Sequence, residues 1–260
     1  AMTIRIGIAG IAGRMGRLLA EETLAAGATL AGGTIRPGAS LDTLPPGLTV
    51  LPDIVALCAA SDVVIDFTHA HAARAHALAA ASTGTALILG SSGLSATEEA
   101  AVAEAAARVP IVYAANFAPG VNLFLAIAER MAAALPGTQY DAEIVEMHHR
   151  QKVDAPSGTA VALGRAVAAG RGTTLEEAGR ESGRDGHCGA RGTGTIGFAA
   201  LRGGQVVGDH TLIFAAASEQ ISLTHRSFDR RVYATGAVRA AGWAAGKPAG
   251  LYSMKDVLGM

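Results

Sequence analysis

The most unusual stretch of the chain, residues 143–159, reads EIVEMHHRQKVDAPSGT. His148 and His149 end a predicted strand, Lys152 follows in a loop, and a helix is predicted to begin near Pro156. Free N–H groups and the positive dipole end of a helix N-terminus attract anions. A histidine can donate or accept a proton near neutral pH, and a lysine supplies a compact positive charge. The segment therefore predicts a site that holds a carboxylate and transfers a proton.

The predicted helix start carries two residues that suit an anion. Gly158 lets an anion approach the backbone, and Thr159 adds a hydroxyl group. Ser157 has a second interpretation as a simple helix N-cap. Only three of the 21 basic residues are lysines, so the lysine at position 152 favours a compact ammonium over a planar guanidinium.

Two other interpretations of this segment stay open. One is a zinc site built from Glu146, His148 and His149. The metalloprotease pattern needs two histidines one helical turn apart, whereas adjacent residues of a strand point to opposite faces, so we expect no metal. The other interpretation is a solvated loop with exposed histidines.

A second segment with chemical potential is a glycine-rich loop between the first predicted strand and the first predicted helix. It consists of Gly10, Ile11, Ala12, Gly13, Arg14, Met15 and Gly16. The spacing is one residue longer than in GxGxxG, but glycines again let the backbone approach a pyrophosphate at a helix start. The loop predicts dinucleotide binding, and a tight turn that binds nothing is the alternative.

The residues after the second predicted strand indicate which dinucleotide binds. An acid about 20 residues after the loop would bind the ribose hydroxyls of NADH. No Asp or Glu occurs between Glu22 and Asp42, and Arg36 stands in that region instead. Because a guanidinium pairs with a phosphate, we expect NADPH and/or NADH with a preference for NADPH. The alternative is that Arg36 is a solvated loop residue.

Short apolar strands alternate with helices in the first part of the chain, which is typical of βαβ units and a parallel sheet. Strands are predicted over residues 4–10, 28–34, 62–67, 85–89 and 111–114, with helices over 14–26, 69–81 and 96–108. The expected fold class is α/β, with a Rossmann-type parallel sheet domain.

The pattern changes after residue 118. Helices are predicted over residues 121–134, 156–169 and 229–245, and strands over 142–147, 195–201, 206–216 and 220–224. Gly203 and Gly204 predict a hairpin turn between two of these strands, and residues 170–194 predict a long loop. We therefore expect a smaller α+β domain with a mixed or antiparallel sheet. The expected boundaries are 1–118, completed by 229–260, for the dinucleotide domain and 119–228 for substrate binding and oligomerisation.

Composition excludes several classes of protein. Hydrophobic residues make up 50% of the 260 residues, which excludes a disordered chain, and a net charge of −1 argues against nucleic-acid binding. Cys58 and Cys188 lie far apart, so we expect free thiols in a reducing compartment. No apolar run long enough to span a membrane and no export signal are visible, so we expect a cytoplasmic location with no membrane partner.

Taken together, these residues resemble the dihydrodipicolinate reductase family of bacterial lysine and diaminopimelate biosynthesis. The segments that carry the resemblance are GIAGRMG (10–16), DFT (66–68), GSSG (90–93), AANF (114–117), EMHHRQKVDAPSGT (146–159), GTIGF (194–198), GDH (208–210) and MKDVL (254–258). They span nearly the whole chain, and the segment with the two histidines is highly specific.

The resemblance implies a fold, an assembly and a reaction. The fold is a Rossmann-type dinucleotide domain with a C-terminal α+β substrate domain, and the assembly is a homotetramer joined through the C-terminal sheets. The reaction is the NAD(P)H-dependent reduction of dihydrodipicolinate (4-hydroxy-tetrahydrodipicolinate) to tetrahydrodipicolinate. The partner is thus a small cyclic dicarboxylate with a C=N bond, and His148 or Lys152 supplies the proton, directly or through water.

The resemblance also implies roles for single residues. His148 and Lys152 match the catalytic residues, and His149, Gly158 and Thr159 match substrate contacts. The matching cofactor-binding residues are Gly10, Ile11, Ala12, Gly13, Arg14, Met15, Arg36, Gly90, Ser91, Ser92, Ala114, Ala115, Asn116 and Phe117.

The chain departs from the family pattern at two places. Ile35 stands where some members carry a ribose-binding acid, which puts NADH use in doubt. Ala118 and Pro119 replace a common Ser-Val pair after the AANF segment, a change that stiffens the predicted hinge.

Two other function classes are alternatives. One is a different two-domain nicotinamide enzyme, such as an amino-acid or aldehyde dehydrogenase, which does not require the segment with two histidines. The other is a nicotinamide-sensing regulator without catalysis, which requires a basic run or a helix-turn-helix extension that this sequence lacks.

Overall fold

The computed structural model describes residues 3–39, 44 and 47–260. The chain divides into two compact units, Ala1–Pro119 with Arg231–Met260, and Gly120–Arg230. The elements in chain order are β1 (Arg5–Ala9), α1 (Arg14–Ala25), β2 (Thr29–Gly33), α2 (Ile54–Ala60), β3 (Val63–Asp66), a 3₁₀ turn (Ala70–Ala72), α3 (Ala73–Thr83), β4 (Ala86–Leu89), α4 (Ala96–Ala106), β5 (Pro110–Tyr113), α5 (Pro119–Ala134), β6 (Asp141–His148), α6 (Gly158–Gly170), α7 (Leu175–Ala178), β7 (Arg180–Ser182), β8 (Ile196–Arg202), β9 (Gly208–Ala215), β10 (Gln220–Ser227), α8 (Arg231–Ala244), β11 (Gly250–Tyr252) and α9 (Met254–Leu258).

The first unit contains a six-stranded sheet in the order β2-β1-β3-β4-β5-β11. Every strand pair in it is parallel, which confirms the predicted α/β class and Rossmann-type sheet. In this sheet β2 lies on one side of β1, whereas β3, β4 and β5 follow one another on the other side. Such a reversal opens a crevice at the carboxyl ends of the two strands, where ligands bind in sheets of this type.

Helices cover both faces of this parallel sheet. Successive residues of β3 illustrate this arrangement. Val64 packs into a core with α2, α3 and α4, whereas Ile65 packs into a second core with α1, α8 and α9. All four residues of β3 are buried, so the strand is a continuous apolar run with a terminal acid. Ser95 is the N-cap of α4, where its side chain and that of Glu98 make a capping box.

The second unit contains a five-stranded sheet in the order β10-β9-β6-β8-β7. Strand β6 lies at its centre, antiparallel to β9 and parallel to β8, so the predicted mixed sheet is confirmed. Helices α5 and α6 pack on one face around Ile144, Leu163 and Phe214. The eight residues of β6 alternate between the buried and the more open face, as a strand with one covered face requires.

The predicted hairpin at Gly203 and Gly204 is wrong. Strands β8 and β9 are not neighbours, because β6 lies between them and pairs with both. The two glycines instead cross the end of β6, where the N–H of Gly203 donates to the His148 carbonyl at 2.9 Å. A glycine pair signals a reversal of the chain, but pairing with the strands across the sheet decides which edges meet.

Two further sequence expectations differ from the structure. The predicted loop at residues 170–194 is wrong as a continuous loop, because it contains α7 and β7. Thr174 and Glu177 form a capping box that starts α7, a local signal inside a glycine-rich context. Helix α2 was not predicted, although Asp53 caps it by accepting from the N–H of Ala56 at 2.8 Å.

In the described part of the chain, no helix is both long and apolar enough to cross a bilayer.

Candidate active site

A cavity of about 860 Å³ opens at the carboxyl ends of β1 and β3 in the first unit. The glycine-rich loop forms one wall. Gly10 has φ +67°, a left-handed conformation that suits glycine, and a Cβ on Gly16 would lie 2.4 Å from the carbonyl oxygen of Gly10. Helix α1 therefore starts against the loop at a distance that only glycine permits. This placement fits the predicted pyrophosphate loop.

Six of the predicted cofactor residues line this cavity, namely Gly10, Ala12, Gly13, Arg14, Met15 and Arg36. The structure thus brings Arg36, after β2, to the same space as the glycine-rich loop. Ile11 is placed differently, because its side chain is fully buried in the core and its N–H donates to the carbonyl of Thr34 at 3.0 Å. Its contribution is to fix the loop onto the end of β2.

The segment after β4 lies at the same edge of the parallel sheet but does not line the cavity. The N–H of Gly90 donates to the carbonyl of Asp66 at 2.8 Å, which ties this segment to the end of β3. Ser91 is buried and its hydroxyl has no partner among the described residues, whereas Ser92 is exposed.

The segment after β5 also lies at this edge and outside the cavity lining. The N–H of Ala114 donates to the carbonyl of Leu89 at 3.2 Å, and Oδ1 of Asn116 accepts from the N–H of Ala118 at 2.8 Å. Ala115 is exposed, and the ring of Phe117 is buried.

Two polar residues beside the cavity were missed as site residues. Asp66 is fully buried at the end of β3, and its Oδ1 accepts from the N–H and hydroxyl of Thr68 at 2.8 and 2.6 Å. Its Oδ2 lies 2.6 Å from Nδ1 of His76, and both Thr68 and His76 line the cavity. An acid that ends a buried strand is the signal that points to Asp66, while His76 lies on a helix with no local sign of its role.

In the second unit, β6 carries a buried cluster at its carboxyl end. Residues two apart on a strand face the same side, so Glu146 and His148 meet, with Oε2 of Glu146 2.6 Å from Nδ1 of His148. The N–H of Ser157, at the start of α6, donates to Oε1 of Glu146 at 3.0 Å. Arg202 at the end of β8 donates to both oxygens of Glu146, at 2.8 and 2.9 Å.

The charge of Glu146 is set by opposing effects. Burial acts to raise the pKa of Glu146, but the hydrogen bonds from Arg202, His148 and the N–H of Ser157 together hold that pKa below its usual value. Glu146 is therefore an ionised carboxylate at neutral pH, although only 1% of it is exposed.

His210 on β9 completes the cluster. Its Nε2 lies 2.9 Å from the hydroxyl of Ser157, and its ring meets the ring of His148 edge-on with centroids 5.1 Å apart. Burial lowers the pKa of His210 to about 4, and the nearby His148 acts in the same direction. The His210 ring is therefore neutral at neutral pH.

The other predicted residues of this segment lie around the cluster. Nζ of Lys152 pairs with Oδ1 of Asp154 at 2.8 Å, and the Lys152 side chain is 20% exposed. Gly158 begins α6 with open space where a Cβ would stand, and Thr159 is half-buried. Nδ1 of His149 is buried without a partner in the described structure.

The structure brings some predicted residues together and leaves others apart. His148 and the start of α6 are joined through Glu146, whereas no hydrogen bond joins Lys152 to His148 within the described residues. His148 is buried, so an exposed histidine in a solvated loop is the wrong interpretation. Ser157 is the N-cap of α6, as its alternative interpretation states. Within the described ranges, no group of three His, Cys, Asp or Glu side chains is arranged for a metal.

Three residues of this cluster were missed as site residues, namely Glu146, which was considered only as a zinc ligand, Arg202 and His210. Arg202 is the one charged residue of β8, and His210 occupies a buried position in the alternation of β9. That alternation and its place in the GDH segment (208–210) are the local signals for it.

Two family models match the chain, Dihydrodipicolinate reductase, N-terminus over residues 4–117 and Dihydrodipicolinate reductase, C-terminus over residues 120–258. The chain belongs to the dihydrodipicolinate reductase family. As a member of the dihydrodipicolinate reductase family it is an oxidoreductase that reduces dihydrodipicolinate, so the resemblance seen in the sequence is confirmed.

Similar proteins support the same family. A 4-hydroxy-tetrahydrodipicolinate reductase of Granulibacter bethesdensis is 67% identical over 258 residues, covering 99% of this chain and 98% of that protein. One of Gluconacetobacter diazotrophicus is 58% identical over 257 residues, with coverage of 99% and 98%. A solved dipicolinate-bound dihydrodipicolinate reductase from Paenisporosarcina sp. TG-14 shares the fold, with a TM-score of 0.79, 23% identity and coverage of 97% and 98%.

Proposed function

We propose that the chain carries out this reduction to tetrahydrodipicolinate, a step of lysine and diaminopimelate biosynthesis, with NADPH preferred over NADH, and that His148 and Lys152 are its catalytic residues. The observation that carries the assignment of residues is the cluster at the end of β6. There an ionised Glu146 joins the His148 imidazole to the start of α6. The arrangement puts a proton-transferring group next to a helix start that attracts carboxylates.

The cavity of the first unit supports the preference for NADPH. Three arginines line it, namely Arg14, Arg17 and Arg36, and no Asp or Glu does so among the described residues. A guanidinium attracts a 2′-phosphate, and a carboxylate would repel it. Bound NADPH supplies the hydride of the reaction. Gly10, Ala12, Gly13, Arg14 and Met15 would hold its pyrophosphate, and Gly90–Ser92 and Ala114–Phe117 its nicotinamide half.

The second unit supports binding of a dicarboxylate. The N–H groups at the start of α6 and the ammonium of Lys152 supply positive charge, and Gly158 leaves the approach open. Lys152, His149, Gly158 and Thr159 would orient the two carboxylates. The proton that completes the reduction comes from His148 or Lys152, directly or through water.

The direct test follows NADPH absorbance after freshly generated dihydrodipicolinate is added. We expect a decrease that requires both substrate and protein, and a slower decrease with NADH at the same concentration. A flat trace with a protein that binds NADPH would favour the nicotinamide-sensing regulator. Turnover of an amino acid or aldehyde instead would favour the other class of dehydrogenase.

We also propose a homotetramer joined through the second unit. Helices α5 and α6 cover one face of the five-stranded sheet, and the opposite face carries Val145, Met147 and Leu201. Leu201 is 50% exposed in the single chain. Light scattering should give the mass of four chains, and Leu201→Glu should lower it. Leu24→Glu, at a position 52% exposed on α1, is the matched control and should leave the mass unchanged.

A reducing, cytoplasmic location is a further part of the proposal. Cys58 and Cys188 are both free, which fits a reducing compartment. Burial raises the pKa of the Cys58 thiol to about 11, so this thiol is unreactive at neutral pH. Recovery of the protein in the cytoplasmic fraction of its cells tests the location.

A further inference from the structure

The carboxylate of Glu146 is bound on every side by hydrogen-bond donors. Oε2 contacts Nδ1 of His148 and Nη1 of Arg202, while Oε1 accepts from Nη2 of Arg202 and the N–H of Ser157. The bidentate guanidinium fixes the plane of the carboxylate, and the backbone N–H fixes its second oxygen. The side chain of Glu146 therefore has one orientation in which all four contacts are made.

This arrangement determines which nitrogen of His148 carries a proton. An ionised carboxylate only accepts hydrogen bonds, so the 2.6 Å contact requires a hydrogen on Nδ1 of His148. The neutral ring then has an unprotonated Nε2, and the ring acquires its second proton there. No hydrogen bond to Nε2 of His148 is present among the described residues.

We propose that Glu146 is a positioning residue that keeps Nδ1 of His148 protonated, so that Nε2 is the atom that gives its proton to the substrate. The inference deepens the proposed function and rests on it for the identity of the substrate. Hydride addition leaves an electron pair on the substrate ring, and that pair forms a bond to the proton from Nε2. His148 becomes neutral, and solvent returns a proton to Nε2.

The same carboxylate also positions the substrate-binding side of the cluster. Because Oε1 of Glu146 accepts from the N–H of Ser157, the start of α6 is attached to the group that orients His148. The hydroxyl of Ser157 in turn caps α6 by accepting from the N–H of Ala160 at 3.2 Å. Proton donor and anion-binding helix start therefore share one support.

The first experiment reads the tautomer without using activity. Nitrogen NMR of the ¹⁵N-labelled full chain distinguishes a protonated Nδ1 from a protonated Nε2 in a neutral histidine, and His148→Gln assigns the signal. We expect Nδ1–H in the wild type. In Glu146→Gln the amide oxygen should take the place of Oε1, so the NH₂ group faces His148 and the tautomer should change to Nε2–H. A wild-type ring protonated on Nε2, or no change in Glu146→Gln, overturns the proposal.

The second experiment tests whether Glu146 orients His148 or only neutralises the charge of Arg202. Glu146→Gln should lower kcat by about 100-fold or more, because the wrong tautomer removes general-acid catalysis. The pH at which kcat falls on the alkaline side should decrease, because an imidazolium loses its neighbouring negative charge. Glu146→Asp, which retains a carboxylate, should recover part of kcat and the original pH profile.

A double variant keeps this test decisive if Glu146→Gln is poorly folded. In Glu146→Gln/Arg202→Gln no charge is left unbalanced in the cluster, so we expect a folded protein with unchanged NADPH affinity and the low kcat of the single variant. Wild-type kcat in the double variant overturns the proposal, because Glu146 would then only neutralise Arg202. Absence of wild-type turnover of dihydrodipicolinate contradicts the proposed function instead, and the tautomer measurement still decides the role of Glu146.

Discussion

Nε2 of His210 and the hydroxyl of Ser157 lie 2.9 Å apart, although 53 residues separate them in the chain. The contact joins β9 to the N-cap of α6 in the buried cluster that includes His148. Because the pKa of His210 is lowered to about 4, a neutral ring at this position is part of the folded state.

The buried His210 should make stability depend on pH. Its pKa is lower in the folded chain, about 4, than the usual 6.5, so below pH 6.5 the unfolded state takes up the proton first and the folded state loses stability. Between pH 7.5 and 5 this group should cost about 2 kcal/mol of unfolding free energy. Urea unfolding at both pH values should show that His210→Gln loses about 2 kcal/mol less than the wild type.

The exposed His187 supplies the control for this measurement. His187→Gln should keep the pH dependence of the wild type. Equal pH dependence in all three proteins would contradict a neutral, buried His210.

Lys152 should matter for turnover and not for cofactor binding. Its ammonium pairs with Asp154 in the loop between β6 and α6 of the second unit, whereas the cofactor cavity is lined by residues of the first unit. Lys152→Ala should lower kcat by about 100-fold or more and leave the NADPH dissociation constant unchanged. Lys152→Arg retains the charge but replaces a compact ammonium by a planar group, so its kcat should be intermediate. Unchanged turnover in Lys152→Ala would remove it from the catalytic residues.

Arg36 should distinguish the two nicotinamide cofactors. Loss of one charge-assisted hydrogen bond to a 2′-phosphate should raise the KM for NADPH in Arg36→Ala by roughly 10- to 100-fold. The KM for NADH should stay the same, because NADH lacks that phosphate. Arg108→Ala, at an exposed position that does not line the cavity, should change neither value. Equal changes for both cofactors would contradict this role of Arg36.

Gly90 should be intolerant of a side chain. A Cβ there would lie 2.5 Å from the ring of Phe67, which packs against Phe117 with centroids 5.3 Å apart. Gly90→Ala should lower the unfolding free energy by about 1–3 kcal/mol and weaken NADPH binding, since Phe67 lines the cavity.

A matched glycine substitution tests whether the lack of space for a Cβ at position 90 causes these effects. Gly242 lies in α8, and a Cβ at this position would meet no atom within 4 Å, so Gly242→Ala should stabilise the chain by about 0.5–1 kcal/mol. Both proteins are compared with the wild type by urea unfolding and NADPH titration. Wild-type stability in Gly90→Ala would show that the Phe67 ring moves without cost.

Local patterns were sufficient for much of the first unit. The alternation of short apolar strands with helices predicts βαβ units, and each predicted strand there is present in the parallel sheet. The Gly10–Gly16 loop lies at the carboxyl end of β1 because a strand, a tight turn and a helix start follow one another in sequence. Such signals depend only on residues that are close in sequence, so they can be interpreted without knowing how the rest of the chain folds.

The amino-acid sequence by itself determined the α/β class, the family, and which segments carry the chemistry. Only the tertiary structure decided that β6 separates β8 from β9, and that Glu146 binds Arg202 at a separation of 56 residues. It also decided that His210 is neutral and contacts Ser157. Strand order, burial and hydrogen bonds between distant residues depend on which surfaces meet across the sheet, and no local periodicity contains that information.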